Sequence, residues 1–204
     1  MHLSKVTMIL RGYKYEQVKC VAEVLMESKY VRNMEITLNT ENAYDIIKKI
    51  SEEFQEKLNI GAGTVQTYDE LVQAIDAGAK FVLSPRMMTD KMLSYCKEKN
   101  IIAVPGAFTA SEVVDQLEKG ADIVKIFPAN ELSLDYAKKI CEPMGNLPLM
   151  AVGGIKKDNV KQAFLSGYEY VGTAGGLFTK EDILALDKEK LRESLRLFEA
   201  ELDK

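Results

Sequence analysis

Apolar residues follow two alternating rhythms along this chain. Val6-Thr7-Met8-Ile9-Leu10-Arg11 reads as a strand, and residues 15–29 then place Val18, Val21, Ala22 and Leu25 on one face at helical spacing. Met34-Glu35-Ile36-Thr37-Leu38-Asn39 alternates strictly. Met34, Ile36 and Leu38 point one way; Glu35, Thr37 and Asn39 point the other. Thr40 or Asn42 can cap a helix running to about Phe54. The unit then repeats. Strand-like runs at Asn59–Val65, Lys80–Pro85 and Ile101–Ala107 precede helices opening at Thr67, Thr89 and Thr109. Ile123–Ala129, Pro148–Gly154 and Tyr170–Gly175 precede helices near Ser133, near Asp158 and in the charged tail. Strand starts recur at roughly 21–27 residues, the length of one βα unit.

Eight such units in 204 residues predict an α/β fold, a closed (β/α)8 TIM barrel in its most compact form, as a single domain over residues 1–204. A doubly wound sheet is the alternative, and no GxGxxG follows the first strand to support it.

Composition narrows the chemistry. Apolar residues make up 47% of the chain, enough for a substantial core, and the net charge of −4 comes without a basic block. Nucleic acid is therefore not an expected partner. Three cysteines, Cys20, Cys96 and Cys141, stand singly, which suggests reduced thiols and a cytoplasmic protein. The apolar run Met8-Ile9-Leu10 is too short for a signal peptide or a membrane span, so no membrane association is expected. The only histidine is His2, which excludes a Ser-His-Asp or Cys-His mechanism and a histidine metal site.

That shortage of bases directs attention to Lys125, which interrupts the apolar run Ile123-Val124-Lys125-Ile126-Phe127-Pro128. A lysine buried there must reach solvent, pair, or lose its proton. Desolvation disfavours the ammonium, and a free amine can attack a carbonyl to form a Schiff base. The alternative is a strand-end lysine whose charge reaches water. Lys80 sits at the start of its own strand, where solvent is close. Glu35, opposite an apolar face already committed to the core, should point into the barrel. It reads either as a general acid/base with a raised pKa or as the ion-pair partner of Arg11.

In a barrel, function gathers where strands end. Gly61-Ala62-Gly63-Thr64 ends the third strand, offering close backbone approach and a hydroxyl. Pro105-Gly106 ends the fifth and reads most simply as a turn. Val152-Gly153-Gly154 and Gly172-Thr173-Ala174-Gly175-Gly176 end the last two strands, whose loops commonly hold a phosphate in barrels. Tight turns without a ligand are the alternative.

With these pieces in place the chain resembles a known family. Lys125-Ile-Phe-Pro, Glu35-Ile-Thr-Leu, Gly61-Ala-Gly-Thr-Val, Ser84-Pro85, Val104-Pro-Gly and Ala151-Val-Gly-Gly are similar to signature segments of the class I 2-keto-3-deoxy-6-phosphogluconate / 4-hydroxy-2-oxoglutarate aldolases. They occur in the same order across essentially the whole chain. The resemblance implies a homotrimeric barrel that cleaves a 2-keto-3-deoxy sugar acid to pyruvate and an aldehyde. It makes Lys125 the Schiff-base residue and Glu35 the proton shuttle. Thr64 and its neighbouring amides, Gly63 among them, would hold the pyruvyl carboxylate, with Pro85 and the glycines Gly153, Gly154 and Gly175 also in contact with substrate. No cofactor or metal is expected, because the iminium is itself the electron sink.

Departures from the family concern the substrate. The phosphogluconate branch carries an arginine where Asn39 stands. Ile9-Leu10-Arg11-Gly12 resembles instead the first strand of the phosphogalactonate branch, and Arg11 then supplies the cation for the carboxylate end. Ala174-Gly175 stands where the family usually has Gly-Ser, so a hydroxyl is lost from the phosphate loop. Arg86 follows Ser84-Pro85, either meeting the distal end of a substrate or lying solvated in the loop. An aldolase for an unphosphorylated keto-acid and a non-catalytic sugar-phosphate-binding barrel are the two rival readings.

Overall fold

The computed structural model describes residues 2–54 and 56–203. Its strands are β1 (Val6–Leu10), β2 (Asn33–Thr37), β3 (Asn59–Gly63), β4 (Phe81–Leu83), β5 (Ile102–Val104), β6 (Gly106–Ala107), β7 (Val124–Ile126), β8 (Leu149–Val152) and β9 (Tyr170–Thr173). Between and after them come α1 (Tyr15–Leu25), α2 (Ala43–Phe54), α3 (Tyr68–Asp76), α4 (Asp90–Glu98), α5 (Ala110–Glu118), α6 (Tyr136–Met144), α7 (Val160–Leu165), α8 (Lys180–Leu184) and α9 (Lys188–Leu202). All strand pairings are parallel, in the order β5-β4-β3-β2-β1-β9-β8-β7-β6. The two ends of that order, β5 and β6, flank a single residue, Pro105. The sheet therefore closes on itself and the barrel is formed.

Pro105-Gly106 is thus not a turn after the fifth strand but a break within it. Proline has no N–H to give the ladder. The passage pairs with β4 before the proline and with β7 after it, and the Pro105 carbonyl still accepts from Lys125 N at 2.8 Å. Gly106 is needed at the break because an added Cβ there would lie 2.7 Å from the Pro85 backbone.

Helix starts follow local chemistry. Thr67 and Thr109 each accept from the backbone N–H three residues on, while Glu70 and Glu112 reach back to the cap, at 2.9 and 2.8 Å respectively. Thr89 caps α4 through Met92 N at 3.3 Å. Thr40 is different: its hydroxyl accepts from Gly12 N at 2.9 Å and so ties the β1–α1 loop to the end of β2. The final helical region is two helices, α8 and α9, separated at Leu186, whose φ is +56°.

Strand alternation splits the core in two. Val6, Met8, Leu10, Met34, Ile36 and Val124 pack outward against the helices. Ile9, Phe81, Leu83, Val104, Ile123 and Met150 fill the barrel interior. Among the described residues no helix is long and apolar enough to cross a membrane.

Candidate active site

Glu35 and Lys125 both face the interior at the C-terminal end of the barrel. They are 3% and 5% exposed, respectively, among the least accessible charged side chains of the molecule. Their positions follow from the alternation of β2 and β7. Met34 and Ile36 turn to the helices and send Glu35 inward, while Val124 and Ile126 do the same for Lys125. Lys80, by contrast, is exposed at the foot of β4.

Burial sets the electrostatics. Desolvation is the largest influence on Glu35 and raises its pKa to about 6, against a smaller lowering by the charges of Lys125 and Arg11. For Lys125 desolvation again dominates and lowers the pKa, opposed by Glu35 and reinforced by Arg11. A carboxylate poised near neutrality and an amine biased toward its free base share one dry space, which is what proton shuttling and nucleophilic attack require. Phe127 lies over the amine, its ring centroid 4.8 Å from Nζ.

The Glu35–Arg11 alternative is not realised as a contact. Arg11 is exposed and acts on Glu35 only as a charge at a distance, and Glu35 Oε2 is buried without accepting a hydrogen bond among the described residues. A buried carboxylate oxygen left unpaired by its own fold is costly and is the feature expected of a group that acts on something else.

Gly63 has a direct reason to be glycine. A Cβ there would come within 1.5 Å of Glu35 Oε1, so β3 yields its side-chain volume to the carboxylate. The next residue, Thr64, has φ +60°, an uncommon conformation for a β-branched side chain. It turns the chain end of β3 at the barrel mouth, one residue beyond the glycine that faces Glu35. Pro85 is half-buried at the end of β4, and its backbone backs onto Gly106. Arg86 is exposed and donates to the Gln66 carbonyl at 3.2 Å.

The remaining expected residues meet on the other side of the mouth. Arg11, Phe127, Gly153, Gly154 and Gly175 line a single cleft of about 510 Å³ between the turns that follow β8 and β9. Gly153 and Gly154 have φ +116° and +70°, and a Cβ on either would strike the Asn130 side chain, at 2.7 and 2.8 Å. Gly175 is open, with no atom within 4 Å of an added Cβ. Arg11 therefore belongs to both halves of the site, lining the cleft while its charge bears on Glu35 and Lys125. Lys156 also lines this cleft. The sequence carries no signal for it, because a lysine in a Lys156-Lys157 pair looks like any solvated loop charge.

Comparison with known proteins agrees with this geometry. A sequence profile described as KDPG and KHG aldolase matches residues 1–193. The chain is 34% identical over 132 residues to the KHG/KDPG aldolase of Escherichia coli, a match covering 64% of this chain and 61% of that enzyme. It is 29% identical over 171 residues to a probable 2-dehydro-3-deoxy-6-phosphogalactonate aldolase of Rhizobium meliloti, covering 83% and 80% of the two chains. Among solved structures, the KDPG aldolase of Legionella pneumophila, with pyruvate captured as a covalent carbinolamine, superposes with a TM-score of 0.83. The two are 25% identical, with 97% of this chain and 93% of that one covered. By the span of the profile, and by a barrel that gathers the family's signature segments at one mouth, the chain belongs to the KDPG and KHG aldolase family.

Proposed function

We propose that this protein is a class I aldolase that cleaves a 2-keto-3-deoxy sugar acid, 6-phosphorylated, reversibly to pyruvate and an aldehyde such as glyceraldehyde 3-phosphate. The observation that carries the reading is the pair of buried, oppositely shifted groups, Glu35 and Lys125, inside one barrel mouth. The Lys125 amine adds to the C2 ketone, and the carbinolamine loses water to give an iminium. Glu35 takes the C4 hydroxyl proton, directly or through a water, as the C3–C4 bond breaks and its electrons pass into the iminium to form an enamine. Protonation at C3 and hydrolysis release pyruvate and restore the amine. Thr64 and the amides beside it receive the keto-acid carboxylate, and Arg11 adds a cation between that end and the distal cleft. The family resemblance further supports a cytoplasmic homotrimer that works without a cofactor.

Borohydride reduction in the presence of pyruvate tests the central step. A reduced pyruvyl group is expected on Lys125 and on no other lysine, located by mass spectrometry of peptides. An adduct on Lys80, or none, overturns the assignment.

A further inference from the structure

The cleft beside the chemistry has a charge character that its glycines alone do not explain. Among the described residues its lining contains two cations, Arg11 and Lys156, and no carboxylate. Apart from these and Thr173, its walls are glycine turns and apolar side chains, so an anion entering it has no acidic neighbour in the lining to oppose it.

The backbone under Lys156 is held firmly. Thr173 Oγ1, buried on β9, donates to the Ile155 carbonyl at 2.7 Å. Lys156 N donates to Asn159 Oδ1 at 2.8 Å, and Asn159 Nδ2 donates to the Gly154 carbonyl at 2.9 Å, closing the turn on itself. Gly176 also presses against this segment, since a Cβ there would lie 2.0 Å from the Ile155 oxygen and 2.8 Å from Lys156 Cα. The Cα of Lys156 is thereby fixed in the wall of the cleft. Among the described residues its ammonium pairs with Asp158 at 3.7 Å, in a pair whose side chains are 60% and 68% exposed. Such a pair is weak, and a four-carbon stem lets the charge swing over the cleft mouth.

We propose that Lys156 is a specificity-determining residue of this chain: it selects keto-acids that carry an anionic group, a phosphate ester foremost, at the end remote from the ketone. The inference rests on the aldolase reading for the identity of the substrate, though not for the binding of the anion. A phosphate carries close to two negative charges and matches a cleft lined by two cations better than a hydroxyl does. Lys156 thus supplies by charge what the turn containing Ala174 and the open Gly175 does not supply by a side-chain hydroxyl.

Lys156→Met keeps the stem and removes the charge; Lys156→Arg keeps the charge. Two measurements on the full-length protein decide the matter. The first is the dissociation constant of inorganic phosphate by isothermal calorimetry. It should weaken about 5–15-fold in Lys156→Met, the range of a partly solvated charged contact, and stay near wild type in Lys156→Arg. The second is kcat/KM for a 6-phosphorylated and an unphosphorylated six-carbon 2-keto-3-deoxy acid. Their ratio should fall by a similar factor in Lys156→Met, through KM rather than kcat, and be restored in Lys156→Arg. Phosphate affinity unchanged in a folded Lys156→Met protein overturns the role of Lys156, even if pyruvate is still trapped on Lys125. Phosphate affinity lost in that variant, with no pyruvate adduct in wild type, upholds the anion site and overturns the aldolase reading.

Discussion

Two buried polar residues on one strand, two positions apart and facing the same interior, are treated in opposite ways. Asn33, at the foot of β2, is completely paired. Its amide donates to the Ser4 carbonyl at 2.8 Å, the Val6 carbonyl at 3.3 Å and Thr7 Oγ1 at 3.1 Å. Its oxygen accepts from Asn59 Nδ2 at 2.8 Å and Ser4 N at 3.1 Å. Glu35 is buried almost as deeply, yet Oε2 accepts nothing from any described residue. The first arrangement closes the bottom of the barrel and stabilises it. The second leaves a charged group unsatisfied in a dry place, at a cost in stability. A fold that can build the Asn33 network is able to satisfy a buried polar group, so the open valence of Glu35 is not poor packing and is what its proposed role in proton transfer requires.

That contrast can be broken most visibly at Glu35. Glu35→Gln keeps the shape and removes the base, and kcat should fall about 10²–10⁴-fold while pyruvate trapping on Lys125 largely survives. In wild type, kcat/KM should rise as pH increases through about 6, where Glu35 ionises, and the variant should lose that limb. Turnover near wild type in a stopped assay of pyruvate release would make Glu35 structural.

The next effect belongs to the other pole. Asn33→Ala removes a hub, leaves the Ser4 N–H without its acceptor and leaves Asn59 Nδ2 with the His2 carbonyl at 3.3 Å, so unfolding free energy should drop by about 2–3 kcal/mol. Urea denaturation reads this directly. A loss in turnover by the folded variant larger than its loss in stability would undo the division between the two ends.

Glu35 should also show its cost. Its folded pKa of about 6 lies above the ordinary 4.5, so the folded protein holds this proton more tightly than the unfolded chain. The stabilising contribution is complete below pH 4.5 and is lost as pH rises through about 6. The stability of Glu35→Gln relative to wild type should therefore improve by about 2 kcal/mol between about pH 4.5 and 8. Parallel stability–pH curves for the two proteins would refute the claim.

The smallest effect concerns Thr64. Asparagine tolerates a positive φ better than a β-branched residue, so Thr64→Asn should gain about 0.5–1 kcal/mol in thermal unfolding while KM for the keto-acid rises. A stability loss with unchanged KM would mean that the left-handed geometry serves only the turn.

Much of this site is legible in the residue pattern alone. The strict alternation of Met34–Asn39 sends Glu35 inward, the apolar neighbours of Lys125 do the same for the amine, and Thr67, Thr89 and Thr109 announce helix starts. These are local matters: side-chain period and cap chemistry act within a few residues. What only the tertiary structure decided depends on segments far apart in the chain. Pro105 divides a strand because β4 and β7 compete for the two sides of one passage. Thr40 abandons the helix cap for Gly12, 28 residues away. Gly63 is glycine because of a carboxylate on another strand, and Arg11 and Lys156 meet in one cleft only because β1, β8 and β9 are neighbours in the closed barrel. Periodicity specifies which way a side chain points; which side chains it then faces is set by closure of the sheet.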